Sequence, residues 1–324
     1  MTERPICVVI AARNAAGTIA AAIASALREP EVGEVVVVDD ASTDGTSEVV
    51  SQADDGSGRL SVIRFDQNRG PAGARNAAFA RSRSPFLSIL DADDFFIGGR
   101  FGRLLAARDW DLVADNIAFV ADGAGEPQVP AFRPNPRFLG LAEFVAGNIS
   151  KRGRQRGELG FLKPVIRREF LDAAGLRYDE RLRLGEDYEL YVRALAAGAR
   201  FKLVDTCGYG ATVRADSLSG RHRTEDLKRL ADADLSLLAL PGLAADATRQ
   251  LRSHERHVRD KYRLRRFLDV KAGRGLRGAA AHGLRHPGDL PAIASGIARD
   301  KLDGLREPQS PVRTVRYLLE GEPA

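Results

Sequence analysis

Residues 35–46 read VVVVDDASTDGT. Four consecutive valines are too continuous for a strand with one wet face, so Val35–Val38 reads as a central strand covered on both sides. Asp39-Asp40 follows at its carboxyl end, and Ser42-Thr43-Asp44-Gly45 supplies a turn and an N-cap for the next helix. The pattern recurs at residues 85–94, where the buried strand PFLSIL runs into Asp91-Ala92-Asp93-Asp94. In an open α/β sheet the strand carboxyl ends border one crevice where ligands bind, so both acidic clusters face the same bound molecule. A third acidic pair, Glu186-Asp187, follows Gly185 and opens a helix. Asp187, Leu190, Tyr191, Ala194 and Leu195 share one stripe of that helix, which ends near Gly198, so Asp187 faces inward.

On either side of this stretch, residues 6–120 alternate strand and helix patterns in the order of parallel βαβ units. Ile6–Ala11 is the first strand. Ile19, Ala22, Ile23, Ala26 and Leu27 repeat at helical spacing, with Pro30 beyond them. Leu60–Phe65 is a further strand, and Asn68-Arg69-Gly70-Pro71 starts a helix through Arg75, Asn76 and Phe79, with Pro71 suited to its first position. Residues 123–136 are rich in Gly and Pro and read as a surface loop. Beyond Thr224 the chain becomes helical and basic, without strand alternation. The expected division is therefore an α/β domain over 1–223, with halves 1–122 and 123–223, and a basic helical C-terminal extension over 224–324.

A chain of 324 residues, 44% hydrophobic and 29% charged, belongs to the soluble globular class and has room for a large core. No uncharged apolar run approaches the roughly 18 residues that span a bilayer. Ile6–Ala12 is short and continues into Arg13-Asn14, which reads as a buried strand and not an export signal. The expected location is the cytoplasm. With Cys7 and Cys207 as its two cysteines, the chain suits a reducing compartment and excludes a disulfide framework or thiolate metal site. Net charge is +5, yet Arg249–Arg277 carries eleven Lys/Arg against three Asp/Glu. The basic character is thus local. It suits an anionic surface, with a solvated helix face as the plain alternative.

Three acidic clusters point to diphosphate chemistry. A diphosphate leaving group needs its charge neutralised, and hard divalent cations take oxygens from one or two carboxylates plus the phosphates. Asp91 and Asp93 point the same way on an extended segment, so one serves a ribose and the other a cation, with Asp94 able to replace either. A turn whose aspartates only cap the following residues is the structural alternative. Asp39-Asp40 also matches the acidic pair of phosphoacceptor receiver domains, but those place it after the first strand, and here Ile6–Ala11 and a helix precede it. One of the pair instead accepts a hydrogen bond from a base N–H or ribose hydroxyl. Glu186-Asp187 reads as a positioned base or as a helix cap.

On these residues the chain resembles the family 2 glycosyltransferases of GT-A fold. The resemblance rests on VVIAARN at 8–14, VVVVDDASTDGT at 35–46, NRGPAGARN at 68–76, DADD at 91–94 and GED at 185–187, in that order. It implies a Rossmann-like mixed sheet flanked by helices, with a nucleotide-sugar half over 1–122 and an acceptor half over 123–223. It also implies that Ala11, Ala12, Arg13, Asn14 and Asp40 hold the base, with Asp39 supporting that turn. Arg75 would reach the nucleotide, Asp91 the ribose, and Asp93 a Mg2+ or Mn2+ ion. Asp187 would be the general base, with Glu186 and Asp94 in supporting positions. Val213–Ser219 is similar to a loop over the donor diphosphate, in which Arg214 would bind phosphate. His222, alone between Arg221 and Arg223, stays outside the metal set. Ala11 and Arg13 depart from the family's Pro and aromatic residue, which leaves base stacking to a guanidinium.

The implied reaction is an inverting, metal-dependent transfer of one hexose. A processive synthase would carry a QxxRW box and membrane spans. The N-terminal half resembles succinoglycan-type exopolysaccharide glucosyltransferases, which implies UDP-glucose as donor and a polyprenyl-diphosphate-linked oligosaccharide as acceptor. Such an acceptor places the enzyme peripherally at the inner face of the cell membrane, against which Arg252, Arg256, Arg259, Arg263 and Arg266 would present a basic helical face. Nucleic acid is disfavoured, since the tail has no recognition motif and few aromatics. Two alternatives remain. A sugar-phosphate nucleotidyltransferase would need a Gly-rich phosphate loop after the first strand, of which AARNAAGT is a poor version, and a nicotinamide dehydrogenase fails for want of G-x-G-x-x-G. A non-catalytic, membrane-associated assembly protein would not need carboxylates at all three clusters.

Overall fold

The computed structural model describes residues 4–130, 132, 136–150, 157–213, 222–304 and 315–319. Its first elements are β1 (Ile6–Ala12), α1 (Ile19–Leu27), β2 (Val32–Asp39), α2 (Thr46–Gln52), β3 (Leu60–Arg64), α3 (Gly70–Arg81) and β4 (Phe86–Ile89). The strands lie parallel in the order β3-β2-β1-β4, with Val8 beside Val35 on one side and Ser88 on the other. Ile6–Ile10 and Val35–Val38 are buried throughout, as continuous apolar runs require. Because β1, β2 and β4 run the same way, residues 11–14, 39–40 and 91–94 emerge at one edge of the sheet.

The parallel order stops there. The chain continues through β5 (Phe95–Phe96), α4 (Arg100–Leu105), β6 (Leu112–Ala121), β7 (Arg137–Phe138), α5 (Leu141–Ala146), β8 (Val165–Arg167), α6 (Arg168–Ala173), α7 (Glu186–Ala196) and β9 (Phe201–Val213). β8 sits between β4 and β6 and is antiparallel to both, whereas β9 is parallel to β6 and antiparallel to β5. The expectation of parallel units as far as residue 120 therefore needs correction after β4. The link from β4 to β5 is too short for the crossover that a parallel neighbour demands. What results is the mixed sheet flanked by helices.

α7 forms as its stripe predicts: Asp187, Leu190, Tyr191 and Ala194 are buried. Its end is a Schellman motif, with Ala199 N–H donating to Ala194 O and Gly198 N–H to Leu195 O, both at 3.0 Å, and Gly198 at φ 88°.

The chain divides into two compact units, Met1–Ala215 with Val312–Ala324, and Asp216–Pro311. The second unit is built from α8 (Thr224–Leu238), α9 (Ala245–Arg285) and α10 (Leu290–Gly304). Its buried apolar residues, among those described, include Leu230, Ala231 and Leu237 of α8, Leu251 and Val258 of α9, and Ala292 and Ile293 of α10. Asp234 is fully buried and lies 2.7 Å from His254 Nδ1. Gly275, at φ 62°, breaks α9. No helix among the described residues is long and apolar enough to cross a membrane.

The expected basic stripe divides. Arg259 pairs with Glu255 and with Asp232 of α8, Arg263 pairs with Asp260 and Asp289, and Arg266 Nη2 lies 3.4 Å from His286 Nε2. Arg249, Arg252 and Arg256 are exposed instead and line an open recess with Thr248 and Ser253.

The tail also ends differently from the sequence reading, which runs the extension to residue 324. β10 (Arg316–Tyr317) pairs antiparallel with β6, Arg316 beside Phe119. Asn116 clamps it: its amide donates to Leu319 O at 2.9 Å and its oxygen accepts from Leu319 N–H at 2.7 Å. Leu318 is 1% exposed, so this short apolar segment finds its burial in the sheet and not among the helices.

Candidate active site

β1 and β2 end side by side, with Ala12 the register partner of Asp39, and the turns that follow interlock. Asn14, at φ 50°, donates its N–H to Ser42 Oγ at 3.0 Å and accepts from Thr43 N–H on Oδ1 at 2.9 Å. Ala15 N–H reaches Thr46 Oγ1 at 2.8 Å. Asp39 has no exposed surface and accepts from Ser42 N–H at 2.9 Å and from the Ser47 hydroxyl. Burial pushes its carboxyl up, but the hydrogen bonds from Ser42 and Ser47 outweigh this and hold it below the usual range. Asp39 thus reaches the Ala11–Asn14 turn through Ser42. Of that turn, Ala12 is buried, Ala11 half-buried, and Arg13 and Asn14 exposed.

Asp40 is 4% exposed, and both its oxygens are occupied. They accept from the Asn68 amide, from Arg69 N–H at 2.6 Å and from Gly70 N–H at 2.8 Å. The sequence reading gives Asp40 to the base. In the structure it fastens the start of α3, where Gly70 sits at φ 82°, a conformation glycine adopts without cost. The rest of the NRGPAGARN motif docks on the segment before α7. Arg69 pairs with Glu180 at 2.9 Å, and Asn76 exchanges hydrogen bonds with Tyr178 N–H and C=O at 2.9 and 3.0 Å. This fixes Arg75.

Arg75 is 4% exposed and joins two of the acidic clusters. Its Nη2 lies 3.0 Å from Asp91 Oδ1, and its Nη1 lies 2.9 Å from Glu186 Oε1 and 3.0 Å from Asp187 Oδ1. The guanidinium also stands over the Tyr178 ring at 5.3 Å. Lys163, which sequence reasoning missed, makes the same connection from the other side: its Nζ lies 3.0 Å from Asp91 Oδ2 and 2.8 Å from Asp187 Oδ2. Tyr178, also missed, donates its hydroxyl to Asp187 Oδ1 at 2.8 Å. Burial opposes ionisation of Asp91, but Lys163 and Arg75 prevail and bring its carboxyl down to about 2. Burial pushes Glu186 up, against the pull of Arg75. The only signal for Lys163 in the sequence is a lone charge in the apolar run GFLKPVI.

Asp91–Asp94 forms a turn, closed by Asp94 N–H on Asp91 O at 3.0 Å. Asp94 accepts from the Tyr209 hydroxyl at 2.8 Å and Thr212 N–H at 2.9 Å, which ties the turn to β9. Burial, then the charges of Asp91 and Asp93, push the Asp94 carboxyl well above the usual range. Such crowding of carboxylates is what a divalent cation relieves. Among the described residues no group of three His, Cys, Asp or Glu is placed to hold a metal ion. The carboxylates of this turn are oxygen donors of the kind hard divalent cations take, so the residues present fit such an ion when substrate phosphates complete its shell. Arg214 lies outside the described residues. His222 belongs to the helical unit, where its carbonyl accepts from Arg265 at 3.2 Å. Burial pushes the thiols of Cys7 and Cys207 up to about 12.

The carboxylates at the ends of β2 and β4 and at the start of α7 are thus brought together, two directly through Arg75 and Lys163 and one through α3. Comparison with known proteins identifies the family and the fold. The family model Glycosyl transferase family 2 matches residues 7–164. The chain is 56% identical over 325 residues to Succinoglycan biosynthesis protein ExoU of Rhizobium meliloti (strain 1021), covering 97% of this chain and 95% of that protein. It is 33% identical over 93 residues to UDP-Glc:alpha-D-GlcNAc-diphosphoundecaprenol beta-1,3-glucosyltransferase WfaP of Escherichia coli, covering 28% of this chain and 36% of that one. The crystal structure of S. aureus TarS 1-349 in complex with UDP-GlcNAc matches with a TM-score of 0.59 at 19% identity, over 82% of this chain and 74% of that chain. That last likeness establishes the GT-A fold.

Proposed function

Since the chain belongs to glycosyl transferase family 2 and is a glycosyltransferase, we propose that it moves one hexose, glucose from UDP-glucose, onto a lipid-linked oligosaccharide with inversion at the anomeric carbon. The relatives support the substrates: one is a succinoglycan biosynthesis protein, another a UDP-Glc:alpha-D-GlcNAc-diphosphoundecaprenol beta-1,3-glucosyltransferase. The acceptor oxygen attacks the anomeric carbon as its bond to the diphosphate breaks. The hydroxyl proton passes to Asp187, and the electron pair leaves with UDP. An α-linked donor then yields a β-linked product. Asp91 takes the ribose, the Ala11–Asn14 turn takes the base, and Arg75 orients the donor side against Glu186 and Asp187. Mg2+ or Mn2+, held by Asp93 and the donor phosphates, would neutralise the departing diphosphate. Asp94, bonded to Tyr209 and Thr212, keeps the turn in place.

The observation that carries this reading is the direct contact of Arg75 and Lys163 with both Asp91 and Asp187, which supports a ribose carboxylate and a base acting side by side. Asp187→Asn should keep UDP affinity in calorimetry and lower transfer by about a hundred- to ten-thousand-fold. Normal turnover would remove Asp187 as the base. UDP binding strengthened by Mn2+ is expected for the enzyme, and no UDP binding at all would favour the non-catalytic assembly protein. The exposed Arg249, Arg252 and Arg256 support peripheral contact with an anionic leaflet, which vesicle sedimentation with and without acidic lipid tests.

A further inference from the structure

We propose that Lys163 is a positioning residue of the transfer reaction, holding Asp187 and Asp91 in one frame so that the base stands in register with the donor. This rests on Asp187 acting as the base. Four observations lead to it. The Lys163 side chain is 7% exposed, and its Nζ bridges Asp91 Oδ2 and Asp187 Oδ2. An apolar side chain there would leave Asp91 and Asp187 paired with Arg75 alone among the described cations, so the ammonium is tied to the presence of these two carboxylates. Its main chain is held as firmly as its tip: Lys163 O accepts from Arg100 Nη2 at 2.5 Å, Arg100 is itself fixed by Asp115 at 2.9 and 3.1 Å, and Pro164 restricts the backbone beyond. Lastly, the hydrogen bonds that Asp187 makes among the described residues leave one place open. A carboxylate offers about four acceptor sites; Oδ1 takes Arg75 and Tyr178, and Oδ2 takes Lys163.

The remaining site is on Oδ2, beside the ammonium, and that is where the acceptor hydroxyl bonds. Lys163 accordingly sets the direction in which Asp187 presents its free lone pair, without touching the reacting atoms. Removal of the ammonium leaves Asp187 anchored through Oδ1 alone, so its other oxygen swings and proton transfer suffers while donor binding persists.

The test is steady-state kinetics and UDP calorimetry on full-length Lys163→Ala, with ethylammonium added as a free substitute for the lost tip. Expected are a fall in kcat of about a hundredfold, as for small misplacements of a catalytic group, donor KM within about threefold, and saturable recovery with ethylammonium. An unchanged kcat, a loss confined to KM, or a loss matched by the unfolded fraction without amine recovery overturns the proposal. Should the alanine variant not fold, Lys163→Met keeps the apolar stem, and a kcat near wild type there is equally fatal. Asp187→Asn separates the two ideas. An inactive Asp187→Asn with a fully active Lys163→Ala defeats only the role of Lys163, whereas an active Asp187→Asn defeats the base and this inference with it.

Discussion

Asp40 accepts three hydrogen bonds on two oxygens, all from residues 68–70. In Asp40→Asn an amide NH2 replaces one oxygen and confronts a donor, so a buried N–H is left unmatched at a cost of about 1–3 kcal/mol. Urea unfolding should show a lower midpoint at unchanged slope, and weaker UDP binding should follow from the loosened α3. Strand-end spacing singled out Asp40, but its partners at the start of α3 were hidden because a crossover through β3 separates them from it in sequence. Arg75 was legible for its place in a motif. Lys163 was not, since a single lysine near a proline ordinarily reads as exposed, and only the packing of β8 against β4 and β6 buries it.

The helix α9 carries a titrating group whose effect has a definite sign. Burial, then the charges of Lys261, His254 and Arg299, push His257 down from 6.5 to about 4, and its buried Nε2 has no hydrogen-bond partner among the described residues. Between those two values the unfolded chain binds a proton that the folded helix refuses. Stability is therefore complete above pH 6.5 and declines as pH falls toward 4, by on the order of 1 kcal/mol once partial solvent access is allowed for. His257→Leu should flatten the dependence of thermal midpoint on pH over that window, and an identical slope would contradict the assignment. Helical periodicity did reveal a basic α9, but it grouped Arg259, Arg263 and Arg266 with Arg252 and Arg256. Which arginines meet Asp232 and Asp289 depends on the neighbouring segments, about which spacing along one helix is silent.

Across the whole chain, the sequence disclosed the α/β order, the helical tail and the edge where the acidic clusters gather, because each follows from apolar runs and turn residues. The return of the chain at β10 escaped notice, since two paired residues carry no periodicity. It has a testable result. Ending the chain at Pro311 should lower the thermal midpoint and uncover β6, with Asn116 losing both bonds to Leu319. Replacing Asp216–Pro311 by a short Gly/Ser linker should instead preserve UDP binding. Val213 and Arg316 flank β6 on opposite sides, beside Ala121 and Phe119, about 10 Å apart across two strand spacings, a gap that about five residues close.

The Asn116–Leu319 clasp spans 203 positions of the chain. On the ribosome, β6 therefore emerges long before the strand that completes it, and the whole helical insertion must be translated in between. Closure of such a distant pairing is slow. The nascent GT-A unit passes through synthesis with one sheet margin open, a window in which a chaperone or a neighbouring polypeptide competes for the place that β10 will take.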